Sequence, residues 1–148
     1  MAFLRRETYP IRAFASERRG STAVEMALLA PVYILLLMGM IAFGIYLGAS
    51  HSVQQLASDA ARASISGLDE AERQAIASGF ILRNAGDYSF VDPERLGVRV
   101  AGSAADPTQF VVAVTYDARH LPIWTLLRGL PLPDATIERQ STIRIGGL

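Results

Sequence analysis

Charge sits at one unusual place in this chain. Arg18-Arg19-Gly20-Ser21-Thr22-Ala23-Val24-Glu25 comes directly before a long stretch without a single ionisable side chain. A charge inside a lipid span costs up to about 2.5–3.5 kcal/mol at mid-membrane and less near the interface, so an acid at that edge usually has a partner. The simpler role for Glu25 is an interfacial residue that stabilises a helix N-terminus through the macrodipole. Other chemistry-bearing residues are few. His51 follows the apolar stretch, and His120 stands beside Leu121 and Pro122 in a proline-rich connection. No H-x-x-x-H, G-x-S-x-G, phosphate loop or carboxylate cluster with ligand spacing occurs. Asp69, Glu70 and Glu72 read as a helix start, not a calcium loop. The chain has no cysteine, which excludes disulfides and thiolate chemistry. No catalytic residue, metal or cofactor is expected.

The elements that must position Glu25 begin with Met26–Leu47, twenty-two residues with no charged group. As a helix this run is about 33 Å long, enough for a hydrocarbon core of ~30 Å. The roughly one hundred other residues could not easily bury it on all sides as a core helix. Fourteen arginines and no lysine balance fourteen acids. Residues 1–20 hold Arg5, Arg6, Arg12, Arg18 and Arg19 against two glutamates, a charge of +3; the remainder carries −3. All five of these arginines precede the span and its far side begins HSVQQLASDA, which predicts a cytoplasmic N-terminus and a C-terminal part outside. Nothing downstream is basic enough to suggest nucleic acid. A secretory signal peptide is the rival reading, with Gly48-Ala49-Ser50 as a weak cleavage site, but the apolar run exceeds the usual h-region of roughly 7–15 residues.

Beyond the span the helical pattern continues. Val53, Leu56, Ala60, Ala63 and Ser64 recur at spacings of three and four, and Gly67 can cap the end. The helix from Ser21 to about Ser66 would be ~69 Å long. A second helix is expected from Asp69, capped with Glu72 reaching back, with Ala75, Ile76, Gly79 and Phe80 on one face and Gly86 at its end. Three strands follow: Leu96–Gly102, Gln109–Tyr116 after an Ala-Asp-Pro turn, and Ala135–Ile145. In the last, Ile137, Ser141, Ile143 and Ile145 share a face that Arg139 interrupts. Between the second and third strands, prolines 122, 131 and 133 argue against a long helix or a central strand. Trp124, with Ile123, Leu126 and Leu127, is either head core or an exposed patch for a neighbouring subunit. The expected fold class is α+β: a leader over 1–20, a long helix over 21–66 and a small head over 67–148 with a second helix and a short antiparallel sheet.

Within the span, Pro31 removes one helix hydrogen bond and should kink the segment. Gly44, Gly48 and Ser52 recur every fourth position, a spacing that permits close helix–helix approach, although a lone G-x-x-x-G is a weak signal.

The stretch RRGSTAVEMALLAPVYILLLMGMIAFG, residues 18–44, resembles the opening of type IV prepilins. More narrowly, it resembles the TadE-like minor pilins (pseudopilins) of the tight-adherence, or Flp, pilus system. LASDAARA at 56–63 is similar to that family's continuation, and VVAVTYDARHLPIW at 111–124 resembles its C-terminal part more loosely. Met26 stands where the family more often has Phe. The resemblance implies cleavage between Gly20 and Ser21 by a membrane-embedded aspartyl prepilin peptidase, with Arg18 and Arg19 as the basic flank. Glycine lets the backbone enter a protease site extended. Ser21 would then bear an α-ammonium, with a reference pKa of about 7.7–8.0, and Glu25 would be the fifth mature residue, one turn later on the same face. In a packed filament the neighbouring subunit's ammonium is the candidate partner for Glu25.

The implied partners are the prepilin peptidase, other pilins or pseudopilins, the pilus assembly platform and the bacterial inner membrane. The implied function is non-enzymatic: priming or capping a pilus used, for example, in cell adhesion. Two other readings stand beside it. One is a single-pass inner-membrane anchor carrying a small periplasmic binding domain, with Glu25 incidental. The other is a membrane-tethered enzyme using His51 or His120.

Overall fold

A computed structural model of the chain describes residues 18–103, 106 and 108–144. The leader expected over residues 1–20 therefore lies largely outside the described residues, as does Ile145. Helix α1 runs over Arg18–Ala63, α2 over Glu70–Asn84, and a four-residue helical turn, α3, over Ile123–Leu126. Strands β1 (Leu96–Gly102), β2 (Gln109–Asp117) and β3 (Thr136–Arg144) form one antiparallel sheet in the order β1-β2-β3. This is an α+β fold with a long apolar N-terminal helix, as expected. The chain divides into two compact units at Met38/Gly39, inside α1.

The apolar character of α1 changes use along its length. From Thr22 to Ile41 nearly every side chain is exposed. From Ala42 onward one stripe is buried: Ala42, Tyr46, Ala49, Val53, Leu56, Ala57 and Ala60 follow one another at intervals of one to four residues. That is the period of a helix with a single packed face. Alanines dominate the stripe. Val53 and Leu56, both fully buried, fill the space that the alanines leave.

The facing surface of the sheet comes from the alternation in β2, where Phe110, Val112, Val114 and Tyr116 are all buried. Their partners in register carry the same face onto β1 (Val100 opposite Val112) and β3 (Ile137 opposite Tyr116, Ile143 opposite Phe110). Arg139, opposite Val114, also points to this face. It does not interrupt the packing. Its guanidinium donates to Ser50 Oγ on α1 and to the Glu138 carbonyl, so the half-buried charge has acceptors. A buried guanidinium without them would cost several kcal/mol. Two further bonds tie α1 to this edge of the sheet: Tyr46 Oη donates to the Asp134 carbonyl (3.1 Å), and Gln54 Nε2 donates to the Gln140 carbonyl (3.3 Å).

Helix α2 starts as its sequence predicts. Asp69 Oδ1 accepts from the Glu72 amide (2.8 Å), and the Glu72 carboxylate reaches back one residue further than expected, to the Leu68 amide (2.8 Å). Its packed face is rotated from the expected one. Ala77 and Ile81 are buried, whereas Ala75 is exposed and Ile76, Gly79 and Phe80 are half-buried. The reason is the anchor at the helix start: Glu70 accepts from the Gly102 amide at the end of β1 (2.8 Å), and this sets the rotation about the helix axis. Gly67 ends the single 3-10 turn after α1 in extended backbone. A Cβ there would stand 2.8 Å from the Arg73 amide nitrogen, so close approach, not a left-handed turn, requires the glycine.

Past α2, Tyr88 donates to Asp59 on α1 (2.8 Å), and burial followed by this bond pushes its pKa up to about 12 from 10.0. Burial also raises the pKa of Tyr116. A raised folded-state pKa means that folding favours the protonated phenol. Its contribution is complete below the unfolded value near 10 and is lost as the pH rises through the folded value. The melting temperature of the detergent-solubilised protein is therefore expected to fall steeply between pH 10 and about 12. The fall should be shallower in Tyr88→Phe, as circular dichroism melts across that range would measure.

Candidate functional site

The residues singled out for cleavage and assembly lie at the start of α1. The described residues are already helical at Arg18, so the Gly20–Ser21 peptide bond lies within helical backbone. Glu25 follows one turn after Ser21 and is exposed. Pro31 lies inside α1, and the helix continues through it although the proline cannot donate to the carbonyl four residues earlier. Almost none of the most apolar window of this helix is buried, and its length and composition suffice to cross a membrane.

The three small residues at four-residue spacing do not share one environment. Around Gly44 no neighbouring atom lies within 4 Å of where a Cβ would stand. Gly48 is covered by the Phe90 ring, 2.8 Å from such a Cβ. Ser52 is buried in the fold. Only Gly44 offers an open surface to another helix. Sequence reasoning missed Phe90, whose backbone is left-handed (φ 62°), a strained conformation for a side chain of this size. Tyr116 holds it there: the phenol donates to the Phe90 carbonyl (3.0 Å) and accepts from the Asp92 amide (3.2 Å). No local sequence signal marks Phe90, because an αL residue is ordinarily glycine or asparagine.

The two histidines are apart. His51 is exposed on α1. His120 lies with Nε2 3.2 Å from Tyr116 Oη and with its ring edge-on to the phenol. Since the single phenolic proton goes to the Phe90 carbonyl, Nε2 carries a proton and donates to the phenol oxygen. That arrangement braces the turn at Phe90. Among the described residues, no group of three or more His, Asp or Glu could hold a metal ion. Trp124 divides the two expected roles of its segment: the indole donates to the Ala118 carbonyl (2.7 Å), Ile123 is buried, and Leu126 is exposed.

A family model described as TadE-like protein matches residues 20–62. The match opens on Gly20 and closes on Arg62, near the end of α1. It thus takes in the glycine, Glu25, the apolar stretch and the buried stripe. The segment at 111–124, whose likeness to the family is looser, lies outside it. Among curated proteins and solved structures, nothing matches the chain.

Two substitutions separate the glycine environments. Gly48→Ala drives a methyl group into the Phe90 ring and is expected to lower head stability by about 1 kcal/mol, the usual scale of overpacking. Gly44→Ala meets no atom and is expected to leave stability unchanged or raise it by up to ~1 kcal/mol through helix propensity. Denaturant unfolding in detergent, followed by the fluorescence of Trp124, would measure both.

Proposed function

We propose that this protein is a pilin-like subunit of a tight-adherence pilus system, anchored in the bacterial inner membrane by α1. In this reading a prepilin peptidase cuts between Gly20 and Ser21, and the mature subunit primes or caps the pilus together with other pilins and the assembly platform. The observation that carries the reading is the TadE-like match over residues 20–62, which begins at the glycine itself. The chemistry agrees with it. The arginines of residues 1–20 keep the junction at the cytoplasmic face, and an apolar helix with almost no buried surface suits a lipid or filament environment. The role is structural and not enzymatic.

After cleavage the Ser21 ammonium and the Glu25 carboxylate would enter an apolar filament interior. Charges of opposite sign from adjacent subunits leave water at lower cost together than singly. The fourth-position spacing of Gly44 leaves an open face on α1 at which a second helix can approach.

Co-expression with an active prepilin peptidase is expected to remove residues 1–20 and leave Ser21 as the new N-terminus, read by N-terminal sequencing or intact mass. An uncut chain would overturn the reading in favour of a plain membrane anchor. Glu25→Ala is expected to insert and be cleaved normally but to abolish or strongly reduce surface pili, counted by electron microscopy. Wild-type piliation from that variant would remove Glu25 from assembly.

A further inference from the structure

The connection between β2 and β3 has no place in the function proposed above. It is apolar, proline-punctuated and partly exposed: Leu126 is 43% and Leu130 60% accessible. Its position along α1 is set by two contacts. Leu127 lies so close to Gly39 that a Cβ there would stand 3.2 Å from its Cδ2, and Asp134 receives the Tyr46 hydroxyl at 3.1 Å. The connection therefore runs beside residues 39–46 of α1. Those residues belong to the charge-free run that ends at Leu47.

Gly39 precedes Leu47 by eight residues, or about 12 Å along a helix. If the run to Leu47 is the membrane span, the connection lies within the outer part of the bilayer. Sliding the span toward the N-terminus until Gly39 reached the outer boundary would need ~20 residues before it. That would leave Arg19 at the inner boundary and draw Glu25 about 9 Å into hydrocarbon, at part of the cost of about 2.5–3.5 kcal/mol for a charge at the centre. A lipid-seated connection avoids this cost.

We infer that residues 121–133 form a membrane-seated wedge that inserts beside α1 into the outer leaflet of the bilayer that α1 spans. The backbone chemistry fits a medium without water. Prolines 122, 131 and 133 have no N–H to satisfy, and the amides of Trp124, Thr125, Leu126, Leu127 and Leu130 are bonded within the connection itself, which leaves those of Ile123, Arg128, Gly129 and Leu132 for the headgroup region. Arg128 is its one charged residue, and its long stem lets the guanidinium rise toward lipid phosphates. Trp124 supplies the amphipathic ring typical of the interface, its N–H already bonded to the Ala118 carbonyl. The depth accords with amphipathic elements, which seat about 5–10 Å into the headgroup and acyl boundary. Such a wedge would hold the head flat against the membrane and pin its rotation about α1. This inference rests on α1 spanning the membrane, not on peptidase cleavage or on a role in a pilus.

The chain has no native cysteine, so single spin labels report cleanly. Leu130→Cys, Leu36→Cys on the apolar helix and Leu82→Cys on α2 would each be labelled in the full chain. Each would then be reconstituted in phosphatidylcholine–phosphatidylglycerol vesicles, and collision with oxygen compared with collision with a water-soluble nickel chelate. The expected result is an oxygen-rich, nickel-poor environment at residue 130 like that at 36, with the reverse at 82. A residue 130 label as open to nickel as that at 82, while 36 stays in lipid, overturns the wedge and leaves the span standing. Nickel access at 36 overturns both. Shielding of 130 from both reagents that develops only as protein is concentrated in the vesicles assigns the surface to a neighbouring chain and also overturns the wedge.

Discussion

Helix α1 meets two different surroundings, and the change occurs within a few residues. Up to Ile41 its large apolar side chains are exposed; from Ala42 the inward positions are alanine, serine, valine, one tyrosine and one leucine. The stripe that joins the core is made mostly of small residues. Larger residues at Ala49 or Ala57 would hold the sheet away and leave the bonds from Tyr46, Gln54 and Arg139 unmade. Each of these bonds crosses from α1 to β3 or the segment leading into it. The register of β3 against the helix therefore depends on the alanines as much as on the isoleucines that β3 buries.

The polar groups that reach the interior find partners there. Arg139 can occupy a core-facing position because Ser50 lies opposite, and Ser64 satisfies its own hydroxyl on the Ala61 carbonyl (2.7 Å). Among the described residues no buried side-chain nitrogen or oxygen lacks a partner. Tyr116 does comparable work on the same face of the sheet, where one phenol fixes the left-handed turn at Phe90, the Asp92 amide and His120. By contrast, the exposed apolar residues between Val24 and Ile41 take no part in this core. Their residue types are not set by the packing of the head, and their length and composition suffice to cross a membrane.

The features legible in the sequence were those that depend on short-range pattern. The charge-free run, the arginines before it, Glu25 at its edge, the capping pair Asp69 and Glu72, and the alternation of β1 and β2 all declare themselves within a few residues. The TadE-like match over residues 20–62 agrees with the part of the chain where that pattern is densest. Less was legible where the answer lay across the fold. The face of α2 was misjudged by about one residue because Glu70 is held by Gly102, thirty-two positions away. Arg139 read as an interruption because its acceptor, Ser50, is eighty-nine positions distant.

By itself, then, the sequence determined the helix, its apolar length and the charge asymmetry around it. Helical periodicity and the transfer cost of charge act on neighbours in the chain and need no fold to be read. Only the tertiary structure decided that Gly48 lies beneath Phe90 while Gly44 stays open, and that the apolar connection between β2 and β3 lies beside residues 39–46. Both depend on which distant segments the small-residue stripe allows to come close. Distance along the chain carries no information about such contacts.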